Sequence, residues 1–276
     1  VRDQADVVAA GAGIMGFSSA DHLASRGMMN VTVVDRGYLC GGARGRNGGG
    51  VRAPWSTEAD VRLMQESLRM CRAFATKMKI NVWFRQGGDL FLARTPAIRD
   101  RLEKSAAPQN ACGLAIRMLT PARSGASCQI SLPTAWTPPA IAPTTGGVPW
   151  PFLWGYARAA RKLGVEVFSF HEVTGFETHG PHARSRVRTC PVLGRVKELR
   201  QWTGCYDLTP HANPMVGTVA EVEHFCQASG FMGHGLMMAP IIGKLIAELV
   251  NDGTIAPLLE RWNIRRFAGG KLLPRR

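Results

Sequence analysis

Residues 5–16, Ala5-Asp6-Val7-Val8-Ala9-Ala10-Gly11-Ala12-Gly13-Ile14-Met15-Gly16, decide the fold of this chain. With them goes Val31-Thr32-Val33-Val34-Asp35. An apolar strand runs into a glycine turn, a helix over Met15–Arg26 follows, and a second strand ends in an acid. This is the layout of a dinucleotide-binding βαβ unit. Gly11 lets the chain turn tightly, Gly13 lets backbone approach a diphosphate, and Gly16 lets the helix lie close to the strand. The helix start offers N–H groups and the positive end of its dipole to phosphate. Asp35 stands 19 residues past Gly16, where a carboxylate can accept hydrogen bonds from ribose hydroxyls.

After Asp35 come Arg36 and a run with seven glycines between Gly37 and Gly50. Such a run forms neither a packed helix nor an ordinary strand. It reads either as a flexible loop or as a backbone-lined cradle for a large planar cofactor, with Arg44 and Arg46 near its phosphates. An NAD enzyme seldom needs a second glycine cradle directly after the ribose acid. An extended FAD would lie across one.

Gly11–Gly16, Asp35 and Gly41–Arg52 together resemble the FAD-dependent amine and amino-acid oxidoreductases of the D-amino-acid oxidase superfamily, most of all sarcosine oxidase β-subunit-like proteins. Arg62–Ser67, Asn81–Gly88, Trp150–Ala157, Gln201–Pro210 and Gly230–Gly235 add to the likeness, which covers 5–120, 147–178 and 199–273. The resemblance implies an α/β fold: a Rossmann-like FAD-binding βαβ domain with a reduced α+β substrate domain. The FAD domain is expected in three pieces, 1–80, 147–198 and 199–276, with a partial substrate domain at 81–146. FAD is expected to bind non-covalently through Gly11, Gly13, Gly16, Asp35, Arg36, Gly41, Gly42, Ala43, Arg46, Asn47, Gly48 and Gly49. Gly230, Gly233, His234 and Gly235 would lie against the flavin. Arg52 and His234 are the candidate catalytic residues. Arg52 would grip a substrate carboxylate or pair with a protein acid; His234 would stand beside the flavin without moving protons, or be an ordinary turn residue.

Three departures from the family narrow what carries over. Val148-Pro149-Trp150-Pro151 holds no histidine for a covalent second flavin. Cys205 stands a residue out of register with a flavin-linking cysteine and reads as a buried thiol. Leu236-Met237 follows Gly-His-Gly where relatives place a carboxylate-binding lysine. Sarcosine recognition is thereby weakened, and an imino acid such as proline is an alternative substrate.

The rest of the chain reads unevenly. Thr57 caps a helix over Glu58–Met78, whose Val61, Met64, Leu68, Cys71, Ala75 and Met78 fall on one face. Val82–Phe84 and Leu90–Ala93 flank Gln86-Gly87-Gly88-Asp89 as a hairpin. Thr95-Pro96 opens a helix that Pro108 bends or ends. Residues 122–147 show no period and four prolines, which predicts a long irregular loop. Phe152–Leu163 and Val165–Phe170 read as helix and strand. Over 179–198 the family pattern is lost again, where a flavin turn and the main substrate sheet belong; an altered reading frame would produce such losses. Phe225–Ser229 reads as a strand, followed by a helix with Pro240 in its first turn and Asn251-Asp252-Gly253 at its end.

Composition bounds the partners. At 276 residues and 45% hydrophobic the chain buries a sizeable core. No apolar run reaches the ~18 residues of a membrane span. Seven cysteines without a CxxC predict reduced thiols and a cytoplasmic protein. His179 and His182 are close enough for a metal pair but lack companions, so they read as a solvated loop and no metal is expected. The net charge of +14 invites nucleic acid or an anionic membrane. No recognition module accompanies it, and part of the excess is local: Lys104 to Val165 holds no Asp or Glu. The expected partners are a small amine or imino/amino-acid substrate and other oxidase or dehydrogenase subunits. Alternatives are a non-catalytic FAD-binding relic and an NAD-linked dehydrogenase.

Overall fold

The structure, a computed structural model, describes residues 4–39, 41–43, 47–93, 95–119, 137–142, 144–179, 182–189, 207–268 and 270. In chain order the strands are β1 (Val7–Ala10), β2 (Val31–Asp35), β3 (Gly50–Arg52), β4 (Arg85–Gln86), β5 (Asp89–Ala93), β6 (Arg117–Met118), β7 (Thr137–Ala142), β8 (Thr144–Gly146), β9 (Glu166–Ser169), β10 (His171–His179), β11 (His182–Thr189), β12 (Met215–Val219) and β13 (Val222–Ser229). The helices are α1 (Ile14–Ser25), α2 (Glu58–Met78), α3 (Pro96–Ala111), α4 (Pro149–Lys162), α5 (Gly235–Asp252) and α6 (Pro257–Trp262). They form two compact units. The first holds Val1–Gly49, Ala73–Val82 and Val148–Arg276; the second holds Gly50–Arg72 and Trp83–Gly147.

The first unit is built on a parallel sheet in the order β1-β2-β9. Val31, Thr32, Val33 and Val34 of the central strand are all buried, as a strand covered on both faces requires. Helix α1 connects β1 to β2 and packs against both α4 and α5, so it is buried almost all round. Gly243 of α5 lies so close to α1 that an added Cβ would meet Ser18 Oγ at 2.3 Å. Ser18 Oγ donates to the Ala239 carbonyl at 2.8 Å, while Arg26 pairs with Glu248 at 3.2 Å and Asp252 at 2.6 Å. Early residues meet early residues and late meet late, so α1 and α5 run in the same direction. Phe74, Phe152 and Tyr156 form an aromatic cluster between the end of α2 and α4, with ring centroids 4.6 and 4.9 Å from Phe74.

The second unit holds two antiparallel sheets, ordered β3-β8-β4 and β5-β7-β6. Thr57 caps α2 as expected, accepting from the Asp60 N–H at 3.3 Å and donating to Asp60 Oδ2 at 2.8 Å. On α2, Phe74 is buried in place of Ala75. Thr95 caps α3 by accepting from the Ile98 N–H, and Pro108 does not end that helix, which continues to Ala111.

Four expectations need correction. Residues 82–93 are not one hairpin: β4 pairs with β8, β5 pairs with β7, and Trp83 at φ 46° breaks the extended run. Residues 137–142 and 144–146 are strands rather than loop; Pro138 and Pro139 fall at a register irregularity between Phe91 and Ala93, where the ladder needs no N–H. Residues 182–189 form β11, antiparallel to β10, so His179 and His182 end paired strands instead of lying in a loop. Pro240 stands in the second turn of α5, not the first. Residues 120–136 and 190–206, including Cys205, lie outside the described residues.

Candidate functional site

The glycine turn after β1 has the three features its spacing demands. Gly11 sits at φ 114°, a backbone conformation that side chains disfavour, and its N–H donates to the Val34 carbonyl at 2.7 Å. A Cβ on Gly16 would meet the Gly11 carbonyl oxygen at 2.0 Å, so the close approach of helix to strand excludes any side chain there. Gly13 differs: among the described residues, nothing lies within 4 Å of a Cβ built on it. It is the N-cap of α1 and supplies no side-chain cap. Helix geometry leaves the first N–H groups of α1 without intrahelical acceptors, at the end of the helix that Gly13 caps. Residues and gap fit an anionic diphosphate.

Asp35 is held by backbone. Its Oδ2 accepts from the Ala12 N–H and its Oδ1 from the Gly37 N–H, each at 2.7 Å. Each oxygen keeps a further lone pair for a ligand hydroxyl. A cavity of about 250 Å³ opens beside it, lined by Ala10, Gly11, Val34, Asp35, Arg36, His171, Glu172 and Val173. The three β10 residues were not expected there. Their only sequence signal is that they follow the strand predicted over Val165–Phe170. Arg36 reaches Glu172 at 3.8 Å across the exposed rim.

Of the cradle, Gly41, Gly42, Ala43 and Asn47–Gly49 are described; Arg44 and Arg46 lie outside the described residues. Among the described residues, nothing lies within 4 Å of where a Cβ on Gly42 or Gly48 would stand. Asn47 organises the cradle's end: its Oδ1 accepts from the Gly49 N–H at 2.7 Å, and its Nδ2 donates to the Gly233 carbonyl at 3.2 Å. That bond joins the two glycine segments singled out in the sequence.

The C-terminal turn is strained in the way a glycine turn allows, with Gly230 at φ 74° and Gly233 at φ 81°; Met232 shares the region at φ 52°. Asp207, which sequence reasoning passed over, accepts from the Gly230 and Phe231 N–H groups at 2.7 and 3.0 Å. A Cβ on Gly230 would meet Thr209 Cγ2 at 2.2 Å. His234 is the half-buried N-cap of α5, and Gly235 is its first residue. Because α1 and α5 are parallel, their N-termini lie at the same end of the pair and both dipoles favour an anion there. Arg52 lies on β3 of the second unit, its guanidinium 5.9 Å from the Trp55 ring centroid. Among the described residues no cluster of metal-ligating side chains occurs. Nor is any helix there long and apolar enough to cross a membrane.

Known proteins share parts of this sequence and its fold. Sarcosine oxidase subunit beta of Rhodobacter capsulatus is 26% identical over 181 residues, 63% of this chain and 44% of that protein. FAD-dependent oxidoreductase domain-containing protein 1 of Xenopus laevis is 37% identical over 79 residues, 28% of this chain and 16% of that protein. The chain thus spans about half or less of the length of these relatives. Among solved structures, L-proline dehydrogenase from P. horikoshii shares the fold with a TM-score of 0.86 at 20% identity, covering 99% of this chain and 100% of that one. Glycine oxidase from Geobacillus kaustophilus gives 0.79 at 17% identity, covering 95% and 98%. Residues 6–190 and 182–249 match the FAD dependent oxidoreductase family, and the chain belongs to that family.

Proposed function

We propose that this chain binds FAD non-covalently and uses it to oxidise a secondary amine or an imino or amino acid of sarcosine or proline type. The observation that carries the reading is the Asn47–Gly233 hydrogen bond, which ties the cradle after the ribose acid to the turn at the start of α5. In this reading the N-terminus of α1 takes the diphosphate, with Gly13 leaving it room, and Asp35 accepts from the ribose. Gly41–Ala43 and Asn47–Gly49 line the extended cofactor with backbone, Arg36 and Arg46 neutralise phosphate charge, and Gly230–Gly235 lies against the ring. FAD, when bound, supplies the hydride acceptor for the C–H bond beside the substrate nitrogen. The chain's own work is positioning and electrostatics: the dipole of α5 favours negative charge next to His234. Arg52 would hold the substrate carboxylate bidentately.

Sarcosine oxidase subunit beta and hydrogen cyanide synthase subunit HcnC of Pseudomonas aeruginosa are subunits by name, which supports a partner chain for this one too. We expect the chain alone to turn over slowly. Its β10–β11 hairpin stands where the family resemblance called for a flavin turn, and poorly fixed substrate forfeits much of the ~7–11 kcal/mol that proximity supplies. Anaerobic mixing of the purified, FAD-loaded chain with sarcosine, proline and related amines tests this. Slow bleaching of the flavin bands by a carboxylate-bearing amine is expected. No bleaching by any amine would favour the non-catalytic relic, and rapid bleaching would remove the need for a partner.

A further inference from the structure

Two segments of the first unit carry exposed cations and no carboxylate. Residues 73–82 and 148–165 contain no Asp or Glu, yet they carry Lys77, Lys79, Arg158, Arg161 and Lys162, all exposed. The two segments are joined: Phe74 packs on Phe152 and Tyr156, and the Arg158 guanidinium donates to the Met78 carbonyl and, at 2.9 Å, to that of Lys79. Along α4, Trp150, Trp154 and Arg158 follow at intervals of four and so share one stripe, which Arg161 and Lys162 continue. Its inner face, with Phe152, Leu153, Tyr156 and Ala160, is buried. The outer face leaves large apolar groups in water: Trp150 is 39% exposed and Trp154 44%, with Val148 and Leu163 exposed at the two ends of the helix.

We propose that this face docks on an anionic phospholipid bilayer, lying on its surface without spanning it. Indole rings favour the headgroup level of a bilayer, because each has an apolar body and one N–H donor. Lys and Arg beside them gain from the negative surface potential. The outer face of α4 sets aromatic side chains beside cations with no carboxylate among them, so interfacial and electrostatic contacts with an anionic surface would reinforce each other. Charge alone would equally suit a nucleic acid. The exposed Val148 and Leu163 favour the bilayer, since aliphatic side chains gain by entering acyl chains and gain nothing from phosphodiesters.

Co-sedimentation of the whole chain with vesicles tests the proposal. Vesicles of phosphatidylcholine alone are compared with vesicles holding about 30% phosphatidylserine, a leaflet-like negative charge. Binding to the second and not the first is expected, weakening as salt rises. Arg161→Gln with Lys162→Gln should weaken it about 25-fold, roughly fivefold per cation. Trp150→Ser with Trp154→Ser should weaken it at least about tenfold through lost apolar contact. Arg158 is left in place because it caps α2. All four substituted side chains are exposed, and an unchanged far-ultraviolet spectrum shows that each variant folds. The proposal is overturned by equal binding to both vesicles, by no binding to either, or by binding that survives both double substitutions. It also fails if a single-stranded oligonucleotide displaces the chain from vesicles and binds the tryptophan variant as tightly as the parent.

Discussion

Asn47 Nδ2 donates to the Gly233 carbonyl oxygen at 3.2 Å, across 186 residues of sequence. The same side chain accepts from Gly49 through its Oδ1, so one amide fixes both the end of the cradle and the turn before α5. Asn47→Ala removes both bonds. It should weaken FAD binding about five- to tenfold, the worth of roughly 1–1.5 kcal/mol of net hydrogen bonding. Titration of flavin fluorescence against the apoprotein measures it.

Two glycines of the first turn should separate stability from binding. Gly16→Ala forces a methyl against the Gly11 backbone and should destabilise the fold by about 1–3 kcal/mol. Gly13→Ala meets no atom of the described residues and should cost less than about 1 kcal/mol of stability. It nonetheless puts a methyl in the phosphate position and should lower FAD affinity. Urea unfolding of the apoproteins beside FAD titration separates the two.

Two neighbouring groups on α1, buried Asp21 and half-buried His22, should oppose each other in pH dependence. Asp21 is 2% exposed, and burial raises its carboxyl to about 6 despite Lys77 nearby. Burial, helped by Lys77, Lys244 and Arg26, lowers His22 to about 4 against the Pro240 carbonyl. Between about 4 and 6 the folded chain holds the Asp21 proton that the unfolded chain has lost, so that group's contribution falls as pH rises. Between about 4 and 6.5 the unfolded chain holds the His22 proton that the folded chain lacks, so that contribution rises. Each is worth up to about 3 kcal/mol, and together they flatten the profile. Asp21→Asn should therefore make stability climb with pH across this window, and His22→Gln should make it fall. Parallel slopes in the two variants would contradict the assignment.

Arg52→Lys tests substrate recognition. A guanidinium grips a carboxylate through two parallel bonds and an ammonium does not, so carboxylate inhibitors should bind about tenfold more weakly to the variant. Inhibitors lacking the carboxylate should be unaffected. Equal affinity for both inhibitor classes in both proteins would remove Arg52 from the site.

The parts of this fold that are local in sequence were legible there. Strand β1, the glycine turn, α1 and β2 carry their period, cap and turn chemistry within 30 residues, as does α2 with its Thr57 cap. Strand β12 was legible but unread, because Met215–Val219 is a short apolar run with no glycine-rich partner beside it. Strand β7 was not legible: Pro138 and Pro139 forbid a regular ladder, and only the irregular register against β5 accommodates them. The site divides the same way. Gly11, Gly13, Gly16 and Asp35 announce themselves by spacing, whereas Asp207 and the β10 wall of the cavity act through contacts that no local pattern encodes.

Non-covalent FAD binding by the first unit is what the proposed chemistry rests on. The direct measurement is the absorbance of the purified chain after incubation with FAD and removal of excess, followed by acid precipitation. Flavin bands at about one FAD per chain are expected, with the flavin released to the supernatant on denaturation. A chain that retains no flavin, or that keeps it in the precipitate, would contradict non-covalent binding.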